Sequence, residues 1–150
     1  MQRPSVLFAC TLNRTRSPMA EGLARAHCGP QVVIDSCGVE PAEEFDPFML
    51  AVLEEVGAGL HDRPGKGFEA LERGGYDLVV ALTPEAHEAA RALAGPGGVA
   101  VRYWPTPDPT MVEGSREMVL DAYREVREGL SRRIRELFEG AIDLDRSIGV

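Results

Sequence analysis

Four short apolar runs, each cut off by a turn and each followed by a helical pattern, constrain this chain more than anything else in it. The runs are Ser5-Val6-Leu7-Phe8-Ala9, the β-branched Val32-Val33-Ile34 within residues 31–36, a third at 76–82 and a fourth at 99–104. Runs this short, apolar and rich in branched side chains read as strands buried on both faces. Helical stretches alternate with them at 18–28, 47–56, 68–73 and 83–93, and a long one closes the chain. Strands that alternate with helices pair in parallel, because each crossover carries a helix over one face of the sheet. The expected fold is therefore α/β, a three-layer sandwich with a four-stranded parallel sheet and helices on both faces. Right-handed crossovers place the first strand inside and give the order 2-1-3-4. Ligands of such sheets bind beyond the carboxyl ends of the strands, where the strand order reverses.

The punctuation supports these elements. Gly29-Pro30 stops the first helix. Asp46-Pro47 and Thr83-Pro84 each pair an N-cap residue with proline in the first turn. Leu50, Leu53 and Val56 are the expected inner side of the second helix. In the last helix Val119, Tyr123, Val126, Leu130, Ile134 and Leu137 recur every three or four residues, with charges of alternating sign opposite them. The proline-rich stretch 105–110 suits neither a helix nor a central strand.

At 150 residues the chain is expected to form one domain, residues 1–150, with a core that needs no staples. Its three cysteines are an odd number without Cys-x-x-Cys spacing, so no disulfide framework is expected. Cys28 and Cys37, near His27, match no zinc spacing and read as structural thiols, and neither a metal nor a cofactor is expected. No apolar run is long enough to span a bilayer and the N-terminus has no signal-peptide pattern, so the expected location is cytoplasmic. The net charge of −8 argues against nucleic acid and anionic membranes as partners. The expected assembly is a monomer or a weak homodimer. An acidic body repels anions at long range, so any anion site must be local, made by Arg14, Arg16 and backbone amides.

Such a site is written after the first strand, in Cys10-Thr11-Leu12-Asn13-Arg14-Thr15-Arg16-Ser17. Ser17-Pro18 reads as the cap and first residue of a helix. A loop folded between a strand end and a helix start converges backbone N–H groups on one point, and the helix adds partial positive charge. Thr11, Leu12, Asn13, Arg14, Thr15, Arg16 and Ser17 are thus the candidate phosphate-binding residues. Arg16 can close the site with a planar fork that grips two oxygens. Asn13 tolerates the left-handed backbone that shapes such a loop. Beside a helix N-terminus and cations a thiol ionises readily, so Cys10 is expected as a thiolate and a nucleophile. Ser17 can cap the helix, donate its hydroxyl to the sulfur, or do both. His61, in the polar connection 61–67, reads as a solvated loop residue.

Cys-x5-Arg-Ser, with Asn13 inside it and Pro18-Met19-Ala20-Glu21-Gly22 after it, resembles the low-molecular-weight protein tyrosine phosphatases. Their scaffold is shared with thioredoxin-coupled arsenate reductases. Asp108-Pro109, on sequence grounds first a turn signal, completes the resemblance, because that family carries an Asp-Pro whose aspartate is the general acid. The resemblance implies Cys10, Arg16 and Asp108 as catalytic residues. It also implies phosphoester hydrolysis through phosphocysteine, acting on a phosphotyrosine protein or a small aryl phosphate.

Three features depart from the pattern. Leu12 stands where glycine is frequent, Thr15 where many members carry a second cysteine, and Thr110-Met111 where aromatic residues commonly wall the substrate ring. Phe45, Phe48 and Trp104 are the other aromatic candidates for that wall, with core packing the alternative for each. Arsenate reduction on the same scaffold is a rival function, but the cysteines that relay its disulfide are absent from 79–93. A phosphate- or phosphoprotein-binding module without turnover is the other rival.

Overall fold

The computed structural model describes residues 3–72, 74–95 and 98–147. Four parallel strands, β1 (Ser5–Cys10), β2 (Val33–Gly38), β3 (Leu78–Ala81) and β4 (Ala100–Tyr103), lie in the order β2-β1-β3-β4. Between and after them run α1 (Arg16–Cys28), α2 (Pro47–Glu54), the single turn α3 (Glu69–Glu72), α4 (Pro84–Ala94) and the long α5 (Arg116–Ser147). β1 is paired on both edges and covered on both faces, and every one of its residues is buried.

Period-two alternation divides the core in two. Val6, Phe8 and Cys10 join Ile34, Val80 and the inner sides of α1, α2 and α5 in one layer. Leu7, Ala9, Cys37, Val79 and Ala81 pack with Leu71 of α3 and Ala86 and Ala90 of α4 in the other. The apolar stripe expected on the last helix is buried from Tyr123 to Leu137, while at its start Val119 is half-buried and Leu120 is the buried residue.

Two caps expected from sequence are made. Asp46 Oδ1 accepts from Phe48 N at 2.9 Å and Thr83 Oγ1 from Ala86 N at 3.2 Å. Elsewhere the boundaries move for identifiable reasons. β2 starts later than expected because Gly29–Gln31 forms a 3-10 turn. It also continues through Cys37 and Gly38, which pair with Ala9 and Cys10. Gly38 has no room for a side chain, since a Cβ there would stand 2.5 Å from Asn13 N. α2 ends at Glu54 and the chain reverses at Gly57, φ 70°. Val56 is consequently 46% exposed and Leu50 half-buried, while Leu53 is buried as expected and Met49 and Val52 complete the inner side.

Candidate active site

The loop 11–15 leaves β1 at the carboxyl edge of the sheet, and three of its carbonyls, with that of Cys10, are taken up by neighbouring chain. Cys10 O, Thr11 O, Leu12 O and Arg14 O accept from Val39, Glu40, Ala42 and Asp46 N–H at 2.8–3.2 Å. Among the described residues, the N–H groups of positions 12 to 16 meet no protein acceptor. Amides left without a protein partner at the start of a helix are what a tetrahedral anion binds to. Asn13 makes the turn possible with φ 49°, the one non-glycine in the left-handed region among the described residues.

Helix α1 begins at Arg16, two residues before the expected start, and Ser17 does not cap it. The cap position is Thr15, without a side-chain cap bond. Pro18 sits in the third helical position, which is tolerated because that N–H has no partner within the helix. The earlier start frees the Ser17 hydroxyl for other work. It is fully buried, 2.9 Å from Cys10 Sγ, and accepts from Asn13 Nδ2 at 2.8 Å. Its single proton has two acceptors, the Cys10 sulfur and Cys37 O at 3.1 Å. Ser17 N also points at the sulfur, at 3.4 Å.

Arg16 joins this loop to the Asp108 loop. Its Nη1 donates to Thr106 O at 3.0 Å and its Nη2 lies 3.8 Å from Asp108 Oδ2. Thr110 holds the other carboxylate oxygen, with its N and Oγ1 donating to Asp108 Oδ1 at 3.0 and 2.6 Å. Asp108 therefore presents Oδ2 to the anion loop. Two stretches about ninety residues apart meet where the strand order reverses, as the topology requires.

The remaining predicted residues have distinct places. Arg14 pairs with Asp46, 3.6 Å away, so its charge is partly compensated and Arg16 is the cation facing Asp108. Thr15 is buried and donates to Asp46 Oδ2 at 2.8 Å. Thr11 ties the loop to α4, its hydroxyl 3.1 Å from both Thr83 Oγ1 and Glu85 Oε1. Leu12 is 43% exposed and Met111 76%, so the rim is aliphatic at these two points. Of the three aromatic candidates, Phe45 and Trp104 are buried in the core. Phe48 is half-buried, packed against Tyr123 and covered by Arg116. His61 is exposed.

The thiols of Cys28 and Cys37 do not share the position of Cys10 Sγ. Cys37 is buried in the opposite core layer, where burial, and secondly Cys10, push its thiol far above the ordinary range. Burial also raises Cys28, at the far end of α1, to about 11. Both are poor nucleophiles at neutral pH.

Sequence reading did not single out Ser36, Glu21 or Arg63, which form a polar cluster beneath Asn13. The one available signal was Glu21 itself, a carboxylate on the buried side of α1.

The family model for low molecular weight phosphotyrosine protein phosphatase matches residues 5–147. A low molecular weight protein-tyrosine-phosphatase of Streptomyces coelicolor is 36% identical over 146 residues, 91% of this chain and 87% of that protein. An arsenate reductase of Bacillus subtilis is 29% identical over 139 residues, 93% of this chain and 98% of that protein. Among solved structures, a low molecular weight protein tyrosine phosphatase from Bacillus subtilis superposes with a TM-score of 0.75 at 26% identity. That match covers 95% of this chain and 99% of that one.

Proposed function

The chain belongs to the low molecular weight phosphotyrosine protein phosphatase family, and from that premise we propose that it hydrolyses aryl phosphate monoesters through a phosphocysteine, without metal or cofactor. The observation that carries the proposal is the meeting of three groups at one mouth. Cys10 Sγ meets the Ser17 hydroxyl and N–H at the start of α1, Arg16 begins that helix, and Asp108 Oδ2 stands 3.8 Å from Arg16 Nη2.

The chemistry follows from these positions. The amides and Arg16 hold the three non-bridging oxygens and stabilise the charge they carry in the transition state. The Cys10 thiolate attacks phosphorus in line, an S–P bond forms, and the P–O bond to the aryl group breaks. Asp108 gives its proton to the departing oxygen. Water then attacks phosphorus, Asp108 takes a proton from it, and the sulfur leaves as thiolate. The Ser17 hydroxyl stabilises that thiolate in both steps. The substrate is a phosphotyrosine protein or a small aryl phosphate.

A second reading, arsenate reduction, has the names of several relatives in its favour. Against it stands the composition of α4 and the residues before it, where this chain has no cysteine to relay a disulfide. A metal-free assay of p-nitrophenyl phosphate, phosphotyrosine peptide and phosphoserine peptide tests the first reading. Arsenate with thioredoxin and its reductant tests the second. Phosphotyrosine turnover lost in Cys10→Ser, with phosphate binding retained, is the expected result. Arsenate reduction without phosphoester turnover would reverse the assignment.

A further inference from the structure

The irregular stretch between α2 and α3 delivers a guanidinium beneath the anion loop. Arg63 Nη1 donates to Asn13 Oδ1 at 3.3 Å and to Pro64 O at 2.9 Å. Its Nη2 donates to Glu21 Oε1 at 3.0 Å and to Ser36 Oγ at 3.2 Å, and the group lies over the Phe45 ring at 4.7 Å. Glu21 is the nearer counter-charge, with Asp35 Oδ1 4.0 Å from Nη2. Glu21 is 3% exposed and also accepts from Ser36 Oγ at 2.6 Å and pairs with Arg25 at 3.0 Å.

The connection from this cluster to the sulfur runs through Asn13. Its Oδ1 accepts from Arg63 and from Lys66 N at 2.9 Å. Its Nδ2 donates to Ser36 Oγ at 2.9 Å and to Ser17 Oγ at 2.8 Å. With Asn13 filling an acceptor site of the Ser17 oxygen, the serine proton is left for Cys10 Sγ or Cys37 O. A carboxamide free to turn would no longer fix that hydroxyl.

We propose that Arg63 is a positioning residue, whose planar fork locks Asn13 so that Ser17 holds its hydroxyl against the Cys10 sulfur. This rests on the phosphatase reading and assigns that site a further working part. A charge alone beside Glu21 would satisfy the buried carboxylate, and Arg25 already supplies one. What only the fork supplies is simultaneous reach to Asn13, Ser36 and Glu21.

The test uses the full chain with Arg63→Met, Arg63→Lys, Asn13→Ala and the Arg63→Lys/Asn13→Ala double variant. Arg63→Met removes one of the two cations paired with Glu21 and endangers folding, so Arg63→Lys, which keeps the charge, decides. Three readings are taken: the rate of Cys10 alkylation by iodoacetamide at pH 7, thermal melting, and kcat and KM for p-nitrophenyl phosphate per alkylatable Cys10. Arg63→Lys is expected to melt near the parent and lose about tenfold in kcat, the size of a charged hydrogen bond. KM and inhibition by inorganic phosphate should stay within about threefold, because Arg16 and the amides are untouched. The double variant should be no slower than Asn13→Ala alone, since both changes break the same chain of contacts. Multiplying losses, a loss confined to KM, or parental kcat and alkylation in Arg63→Lys would each overturn the proposal. If the parent protein turns over no phosphoester, the functional reading fails separately. Alkylation then still decides: slowed equally in Arg63→Lys and Asn13→Ala it supports Arg63, and unchanged in Arg63→Lys it overturns it.

Discussion

At the scale of single residues, the proposed mechanism gives Arg16 and Asp108 different work, and substitutions separate them. Arg16 Nη1 and Nη2 already reach two different atoms of the Asp108 loop, Thr106 O and Asp108 Oδ2, which shows the fork's two-point geometry. An ammonium offers a single point of charge, so Arg16→Lys should lower kcat/KM for p-nitrophenyl phosphate by about a hundredfold or more. Near-parental activity there would mean that the amides alone hold the anion. Asp108→Asn keeps the turn, because an amide oxygen can still accept from Thr110, but it removes the transferable proton. Its cost should depend on the leaving group. Phosphotyrosine, whose phenolate leaves poorly, should slow by about 10²–10⁴-fold, while an activated nitrophenyl ester loses far less. Equal losses across a leaving-group series would take Asp108 out of the mechanism and leave a turn residue.

At the scale of elements, one buried carboxylate ties the anion loop to two helices. Asp46 is 1% exposed and accepts at Oδ2 from Thr15 and, at 2.6 Å, from Tyr123 of α5, while Oδ1 caps α2. Burial, and then the Asp46 carboxylate, hold the Tyr123 hydroxyl well above the usual tyrosine range, so it stays a donor. Tyr123→Phe should cost about 1.5–3 kcal/mol in urea unfolding, the worth of a hydrogen bond to a charged group. No change would show that Thr15 and Arg14 satisfy Asp46 without α5. The α2–α5 contact also has an acid limit. Hydrogen bonds from Arg124 and Arg127 lower the Glu55 carboxyl from 4.5 to about 2. A depressed carboxylate stabilises the fold above its unfolded value, and that contribution is lost as pH falls from about 4.5 through about 2. The side chain is 37% exposed, so the effect is screened and small. Glu55→Gln should melt below the parent at pH 6, with the gap closing by pH 2. A gap independent of pH would assign the pair no role in acid stability.

What was legible beforehand follows the range of each signal. Strand order, the loop, the Asp46 and Thr83 caps and the α5 face rest on local periodicity or on topology, and the structure has them. Ser17 was legible as a polar residue at a helix start, yet its use depends on where β2 runs, because Cys37 O is one of its acceptors. Arg14 reads from sequence as a cation of the anion site, and that its guanidinium pairs with Asp46, 32 positions on, is visible only in the folded chain. Glu21 and Arg63 lie 42 positions apart and carry no periodic or capping signal. Only the folded chain puts them under Asn13.

At the scale of the whole molecule, the two faces of one sheet decide what oxidation does to the enzyme. A thiolate held among amides forms sulfenic acid readily, and a nearby thiol is what stops it there by forming a disulfide. Thr15 occupies the loop position where relatives with such a partner carry cysteine, and it is committed to Asp46. Cys37 is close in the sheet, since its register partner Ala9 adjoins Cys10. Neighbouring residues of a strand point to opposite faces, however, so Cys37 shares the α4 side with Leu7 and Ala9 while Cys10 lies on the other. Cys28 ends α1, eleven residues beyond Ser17, and a helix rising about 1.5 Å per residue puts roughly 16 Å between them. Disulfide geometry demands Cα atoms about 4.4–6.8 Å apart with facing side chains, which neither partner satisfies without unfolding. Brief peroxide treatment should therefore carry Cys10 past sulfenic acid to the sulfinic state, with activity that dithiothreitol does not restore. Intact-mass analysis should show oxygen added to the Cys10 peptide and unmodified Cys28 and Cys37. A two-hydrogen mass loss, a Cys10–Cys37 cross-link on peptide mapping and full recovery under dithiothreitol would mean that the sheet opens at β2 on a timescale that matters to the enzyme.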